Sequence, residues 1–289
     1  MIDRPTFKML VGIPGSGKST YAKLHIDEST KYFSSDAIRK ELWGDENCQQ
    51  EHYKVFNLMH ERVLEALKNG YNVIYDATNV TRKSRRGILG LLPAYINKEC
   101  IIVWASVEEC LERDANRERV VGEEVIMNML KRFEAPFYDE GFDTITLYNT
   151  TSKNIHQYYA DCVAALHIPH DNPHHALGVY EHCKLCGELL KDKPVPELVK
   201  IAGVIHDIGK PLTKTFVNTR GETTEVAHYY GHQAVGAWLS YGFPAQHPTL
   251  AWLISTHMAP FINQKYYNSL DPLYKCWIDA LHNADKEAH

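Results

Sequence analysis

Two groups of residues in this 289-residue chain have types and spacings that can do chemistry. The first is Gly12-Ile-Pro-Gly15-Ser16-Gly17-Lys18-Ser19-Thr20, which fits the pattern G-x-x-x-x-G-K-[ST]. Glycines there let the backbone curl so that successive N–H groups face phosphate oxygens. A helix opening at the lysine adds the positive end of its dipole. Lys18 would reach the β- and γ-phosphates of a nucleotide, and Ser19 would bind Mg²⁺. The second group is the series His182, His206-Asp207, His228, His232, His257 and Asp285. Imidazole and carboxylate together suit Mn²⁺, Fe, Ni²⁺ or Co²⁺ better than Mg²⁺. A single histidine in an apolar helix is more often a core residue than a ligand. A whole series of histidines and aspartates at separate helix ends is harder to explain that way.

The elements that must position these residues can be read from the apolar runs. Phe7–Val11 predicts a buried strand feeding the Gly-rich loop, with a helix over Thr20–Ile26 behind it. Tyr32 and Phe33 predict a second strand, followed by a polar turn and a helix. Asp36 at that turn reads as a base for an attacking hydroxyl or as the N-cap of a helix beginning at Ala37, two roles that can coexist. Arg39, one helical turn on, is placed to hold a phosphate. Asn72 onward predicts a third strand ending at Asp76, where a carboxylate partner of Mg²⁺ belongs. The basic stretch Arg82, Lys83, Arg85 and Arg86 reads as a solvated helix face or a groove tracking a phosphate backbone. Ile101–Ala105 is a further strand, and Arg113 and Arg117 in the following helix share one face. Lys200 to Lys210 predicts an apolar helix with His206-Asp207 at its end and a Gly-Lys-Pro stop. Residues 213–228 predict a loop or short hairpin around Arg220-Gly221.

The set GIPGSGKST, SSDAIR, DATN and RDANR resembles the 5′-hydroxyl polynucleotide kinase family over about residues 7–150. The resemblance implies an α/β P-loop NTPase domain using ATP and Mg²⁺. It implies Lys18 and Ser19 on the donor phosphates and metal, with Gly12, Gly15, Ser16, Gly17, Thr20, Asp76 and Arg113 around the nucleotide. It also implies Asp36 as general base, Arg39 on the acceptor side and Arg117 as a lid arginine on the transferred phosphoryl group. The later stretches HDIGKP, GHQAVGA and NADKEA resemble the HD phosphohydrolase superfamily, an all-α fold, over about residues 170–289. That likeness implies one metal held by His182, His206, Asp207 and Asp285. A second would sit on His232 and His257 with Asp207 bridging, and Lys210 and His228 would lie near the substrate phosphate.

Bulk composition agrees with two folded domains. The chain is 44 % apolar and 23 % charged, with no apolar run long enough for a membrane helix. Of sixteen histidines only His25, His52 and His60 precede residue 151, which suggests a boundary near 150–170 and domains of 1–152 and 153–289. Seven scattered cysteines, at 48, 100, 110, 162, 183, 186 and 276, suit a reducing compartment, and Cys183 and Cys186 read as small buried residues of one helix. The N-terminus lacks the pattern of a signal peptide, so the expected location is the cytoplasm, or the host cytoplasm for a phage-encoded chain. A net charge of −5 gives no strong overall basic field, though a local basic groove is compatible with it. The joint expectation is healing of RNA or DNA ends: ATP-dependent phosphorylation of a 5′-hydroxyl and removal of a 2′,3′-cyclic phosphate or 3′-phosphate, with a nucleic-acid ligase acting next. The alternatives are a small-molecule kinase or a nucleotide-signalling protein with an HD nucleotidase.

Overall fold

The computed structural model describes residues 4–45, 51–173 and 176–288; Cys48, His174 and His175 lie outside them. The chain forms two compact units. One comprises Met1–Ile126 and Pro136–Thr151, the other Met127–Ala135 and Ser152–His289.

The first unit is an α/β layer structure. Its elements are β1 (Thr6–Val11), α1 (Lys18–His25), β2 (Thr30–Ser34), α2 (Ser35–Trp43), α3 (His52–Lys68), β3 (Asn72–Asp76), α4 (Arg82–Leu89), β4 (Asn97–Trp104), α5 (Val107–Ala115), the first half of α6 (Glu123–Leu130), whose residues from Met127 on belong to the other unit, and β5 (Thr144–Asn149). All five strands run parallel, in the order β2-β3-β1-β4-β5. Helices cover both faces of such a sheet, so the later halves of its central strands are apolar: Met9, Leu10, Val11, Ile102, Val103 and Trp104 are fully buried. The edge strand β5, TITLYN, mixes polar and apolar positions, and the apolar runs of the sequence do not announce it.

The register decides where chemistry can occur. Leu10 lies opposite Asp76, and Ser34 lies opposite Asp76 from the other side. The ends of β1, β2 and β3 are therefore level. The loop after β1, the turn after β2 and the carboxylate closing β3 emerge at one sheet edge. The order also reverses at β1, whose neighbours are β3 and β4, and ligands of open α/β sheets bind at that switch point.

The basic stretch of α4 divides by depth. Arg85 is fully buried and gives Glu140 a bidentate pair of hydrogen bonds, Nε to Oε2 at 2.8 Å and an Nη to Oε1 at 2.7 Å. Arg82 pairs with Asp139 at 2.6 Å. Lys83 and Arg86 alone remain exposed. The continuous four-residue basic face allowed by the sequence is thus not present, because half of it serves packing.

The second unit is helical, with one hairpin. Its elements are α7 (Ile155–Ala164), α8 (Val179–Leu190), α9 (Glu197–Ile205), α10 (Lys210–Thr213), β6 (Thr215–Val217), β7 (Thr223–His228), α11 (His232–Ser240), α12 (Pro248–Thr256), α13 (Ala259–Ile262), α14 (Gln264–Ser269) and α15 (Pro272–Glu287). The hairpin predicted around Arg220-Gly221 is β6–β7, with Thr215 opposite His228. Helices α8 and α9 pair, as do α11 and α12, and α15 packs on α8 and α9. Gly209 permits a close crossing: a Cβ there would lie 2.1 Å from the His232 carbonyl oxygen. The segment 127–135 joins this unit through Phe133, edge-on to Trp238 at 5.3 Å and to Tyr241 at 6.2 Å. Cys183 and Cys186 are both buried on α8, as their spacing suggested.

Candidate active sites

In the first unit the Gly-rich loop is closed on itself. Gly15 and Gly17 have φ of 80° and 99°, a region glycine occupies without strain. A Cβ on Gly12 would meet Ser16 Oγ at 2.5 Å and the Val103 carbonyl oxygen at 2.6 Å. Helix α1 begins at Lys18, two residues earlier than the apolar run suggested, so the lysine rises from the first turn. Its Nζ donates to the carbonyls of Gly12 and Ile13 at 2.9 and 3.0 Å. Burial lowers the Lys18 pKa, while the carboxylate of Asp76 pulls it back up. Ser19 donates to Asp76 Oδ2 at 3.3 Å, and the Tyr32 hydroxyl donates to the same oxygen at 2.7 Å. Ser19 and Asp76, the pair expected at a Mg²⁺ site, are thus adjacent. Thr20 is exposed on the outer side of the turn.

Arg113 and Arg117 do not share a helical face. Helix α5 is fixed at its start by a capping box between Ser106 and Glu109 and ends at Ala115. Arg117 therefore lies in the following turn, bonded to the buried Asp114. Arg113 braces the loop from behind, donating to the Gly15 carbonyl at 3.4 Å and to the Thr150 carbonyl at 2.7 Å. Thr150 Oγ1 in turn donates to the Ser16 carbonyl at 2.8 Å.

Asp36 does not cap its helix. Ser34 does, accepting from the Ala37 N–H, and Asp36 sits in the first turn of α2 with its side chain half exposed. It accepts from Arg39 at 2.8 Å and from Arg119 at 2.9 Å. Arg39 is buried, and its Nε has no acceptor among the described residues. A buried guanidinium nitrogen without a partner is costly, so it is a natural place for an oxygen of a bound ligand. Arg119 was not singled out by spacing, because its run Arg-Glu-Arg resembles any solvated turn.

The second unit gathers six of the singled-out residues into one buried cage. His182 Nε2 is 3.2 Å from His206 Nε2 and 3.0 Å from Asp285 Oδ1, and His206 Nε2 is 3.2 Å from the same oxygen. His232 Nε2 is 3.3 Å from both His257 Nε2 and Asp207 Oδ1. The other oxygen of Asp207 is 3.5 Å from His206 and 3.6 Å from His182. Asp207 thereby belongs to both clusters. His206 and His257 end α9 and α12, His182 and Asp285 lie within α8 and α15, and His232 opens α11.

The cage fits divalent cations on the chemistry of its donors. Each imidazole turns Nδ1 to a main-chain carbonyl: His182 to Ala288, His206 to Gly203, His232 to Tyr229 and His257 to Ile254, at 2.7–3.1 Å. A carbonyl only accepts, so each Nδ1 carries the proton and each Nε2 presents a lone pair inward. Two bare lone pairs 3.3 Å apart, as at His232 and His257, repel unless a cation lies between them. Two nitrogens each about 2.1 Å from one ion would stand roughly 3.0–3.4 Å apart, the spacing seen. Burial lowers the pKa of both, His257 to about 3, so neither takes a proton at neutral pH. At His206 burial opposes charge, but Asp207 and the neighbouring groups outweigh it and raise the pKa, so a proton serves there when no metal does. Burial would raise Asp207, yet Lys210 and His206 hold it well below the usual carboxylate range. Cys183 also lies beside His206 and Asp207, but burial pushes its thiol up to about 12, which makes it a poor ligand.

A cavity of about 530 Å³ opens at this cage, lined by Asp207, Lys210, His228, His232, His257 and Asp285 among others. Lys210 is buried beneath it, 2.5 Å from Asp207 Oδ2 and 3.0 Å from His170 Nε2. His228 bonds Thr224 Oγ1 at 3.1 Å and stands in the cavity wall without joining the ligand cage. His170 was not foreseen. It lies in an irregular Pro-His-Asp segment with no periodicity to mark it, yet it is buried and accepts from Lys210. His247 caps α12 and His282 rests against Phe261, both outside the cage.

Comparison with known proteins follows the same division. A family model described as an AAA domain matches residues 8–136, and one described as an HD domain matches residues 174–284. The L-seryl-tRNA(Sec) kinase of Methanococcus maripaludis is 27 % identical over 220 residues, which is 72 % of this chain and 80 % of that protein. The bifunctional polynucleotide phosphatase/kinase of Schizosaccharomyces pombe is 30 % identical over 145 residues, 47 % of this chain and 32 % of that protein. A chain in the structure of the Pnkp1/Rnl/Hen1 RNA repair complex is 27 % identical, with a TM-score of 0.41 over 46 % of this chain and 45 % of that one. This chain thus spans about a third of the bifunctional relative and less than half of the repair-complex chain. Among the described residues, no helix is long and apolar enough to cross a membrane. The P-loop at the switch point of the parallel sheet thus lies within the stretch that resembles an AAA domain, and the histidine–aspartate cage, Asp285 apart, within the stretch that resembles an HD domain.

Proposed function

We propose that this chain heals broken nucleic-acid ends: it phosphorylates 5′-hydroxyl termini with ATP and removes 2′,3′-cyclic phosphate or 3′-phosphate termini. The observation that carries the reading is the pairing in one chain of a P-loop and the Asp36–Arg39 ion pair in one unit with a buried cage of histidines and aspartates, whose donors suit divalent cations, in the other. The printed name of the Schizosaccharomyces pombe relative combines the same two activities, and the solved neighbour is an RNA repair complex. We assign the kinase to residues 1–152, with 127–135 lent to the other unit, and the phosphoesterase to 153–289.

In the kinase, Lys18 and the N–H groups of Gly15, Ser16 and Gly17 hold the ATP phosphates, with Gly12 and Thr20 shaping the loop. Ser19 and Asp76 hold Mg²⁺. Asp36 takes the proton of the 5′-hydroxyl as its oxygen attacks the γ-phosphorus and ADP leaves. Arg39 holds an acceptor phosphate oxygen, filling the place of its missing acceptor. Arg117 covers the transferring group, and Arg113 keeps the loop in shape. In the phosphoesterase, His182, His206, Asp207 and Asp285 hold one metal, and Asp207, His232 and His257 the other. A pair of ions such as Mn²⁺, Ni²⁺, Co²⁺ or Fe supplies hydroxide and charge to the phosphate. Lys210 orients Asp207, and with His228 it faces the phosphate. A nucleic-acid ligase would consume the product, and the cytoplasm is the expected setting.

The test uses purified full-length protein. Label from [γ-³²P]ATP should reach a 5′-hydroxyl oligonucleotide with Mg²⁺, and the chelator-treated protein should regain phosphoesterase activity on a cyclic-phosphate strand mainly with Mn²⁺, Ni²⁺ or Co²⁺. Label passing to free nucleosides and never to the strand would replace this reading with a small-molecule kinase.

A further inference from the structure

The cavity over the histidine–aspartate cage carries aromatic groups that neither metal binding nor phosphate chemistry uses. Tyr230 follows β7 and Phe261 belongs to α13, and both line the cavity. Tyr230 is 41 % exposed and Phe261 62 % exposed. Two open rings thus stand beside a buried polar site. Tyr229 is different, because its hydroxyl is bonded to the His170 carbonyl and its ring lies under the Lys210 ammonium at 5.2 Å.

Each open ring is backed by an imidazole. The His228 ring stacks on Tyr230 with centroids 5.3 Å apart and planes 12° from parallel, and Thr224 pins that imidazole. Phe261 meets His282 edge-on at 4.8 Å. Both aromatics are therefore pre-set, which lowers the entropy lost when a flat ligand lands on them. A cavity of about 530 Å³ is within the range that takes a nucleotide-sized ligand. On the phosphoesterase reading its floor holds the phosphate, so the rim meets what the phosphate is attached to.

The geometry points to Tyr230 and Phe261 as a stacking platform for the nucleobase of the 3′-terminal nucleotide. This inference rests on the phosphoesterase reading above and deepens it: the substrate class is a phosphate carried by a base-bearing ribose, in preference to base-free phosphate esters. Stacking accepts any base, because each offers a π face, so the platform gives end recognition without sequence preference. Lys286, also at the cavity, supplies a positive charge suited to the next phosphate along the strand.

The experiment compares two strands ending in 2′,3′-cyclic phosphate, one with a terminal adenosine and one identical except that the last nucleotide is abasic. Metal-loaded full-length protein should favour the adenosine end about tenfold in kcat/KM, as expected for one stacked base. Tyr230→Ala and Phe261→Ala should each cut that ratio severalfold, and Tyr230→Phe should keep it. A wild-type ratio near one, or a ratio unchanged in both alanine variants, overturns the platform. Should the wild type hydrolyse neither strand, the end-healing reading fails, and equilibrium binding then decides the rim alone. There, adenosine 3′-monophosphate should bind about tenfold tighter than ribose 5-phosphate and lose that margin in Phe261→Ala; equal binding of the two overturns the inference.

Discussion

Replacing Glu140 by Gln tests how the kinase unit holds its phosphate loop. The Arg85–Glu140 pair is fully buried, with two short bonds between the groups. Arg85 also donates to the Asn79 carbonyl at 3.0 Å, and Asn79 Nδ2 donates to the Leu10 carbonyl at 2.7 Å, one residue before β1 ends. The ion pair therefore anchors the turn that braces the Gly-rich loop. Glutamine keeps the shape but leaves a guanidinium charge buried without its counter-ion, which costs about 3–5 kcal/mol. By contrast, the exposed pair Arg62–Glu41 should contribute little to stability despite its 2.6 Å distance, because solvent screens it. For a unit of this size the loss lowers its melting temperature by about 10 °C. Differential scanning calorimetry on Glu140→Gln, Arg85→Met and Arg85→Met/Glu140→Gln reads both the shift and the coupling. The double variant should be more stable than the sum of the single losses. A shift below about 2 °C, or strictly additive losses, would refute the argument that the charges depend on each other.

Asp36→Asn should abolish strand phosphorylation and spare the phosphoesterase, while Asp207→Asn should do the reverse and release bound metal; loss of both activities in either folded variant would disprove separate sites. Gly12→Ala places a Cβ 2.6 Å from the Val103 carbonyl, so it should raise KM for ATP or eliminate binding, read by nucleotide titration, and wild-type affinity would contradict the close packing. Burial, aided by the Lys210 charge, lowers His170 to about 4 against an ordinary 6.5. A depressed histidine binds more protons when unfolded, so its contribution is full above about pH 6.5 and is lost as pH falls toward about 4. Denaturant melts of metal-free wild type and His170→Gln should therefore converge across that window, and parallel curves would remove His170 from the account.

The sites were legible in the sequence to unequal degrees. The Gly-rich loop announces itself because its geometry needs glycines at fixed offsets, and the histidine series because such residues rarely line several helix ends without reason. What the sequence hides is partnership. Nothing in the spacing of Arg82, Lys83, Arg85 and Arg86 tells that Arg85 turns inward to Glu140, fifty-five residues away. Spacing put Arg113 and Arg117 on one face, but the helix stops between them at Ala115. Asp36 could be a cap or a base by position, and only the Ser34 hydroxyl, one residue before the helix, removes the first role. Strand β5 escaped because an edge strand need not be apolar. His170 escaped because a residue that touches the cage through Lys210 leaves no periodic trace.

Residues 127–135 leave the first unit, join the second through Phe133, and return. The chain therefore passes from one unit to the other three times. Cutting the gene once near codon 152 would give an amino-terminal fragment bearing a greasy orphan stretch, and a carboxy-terminal fragment with Trp238 and Tyr241 stripped of their cover. Anyone wishing to produce the two enzymes separately would have to graft that nonapeptide onto the histidine-bearing half, or expect both products to be sticky.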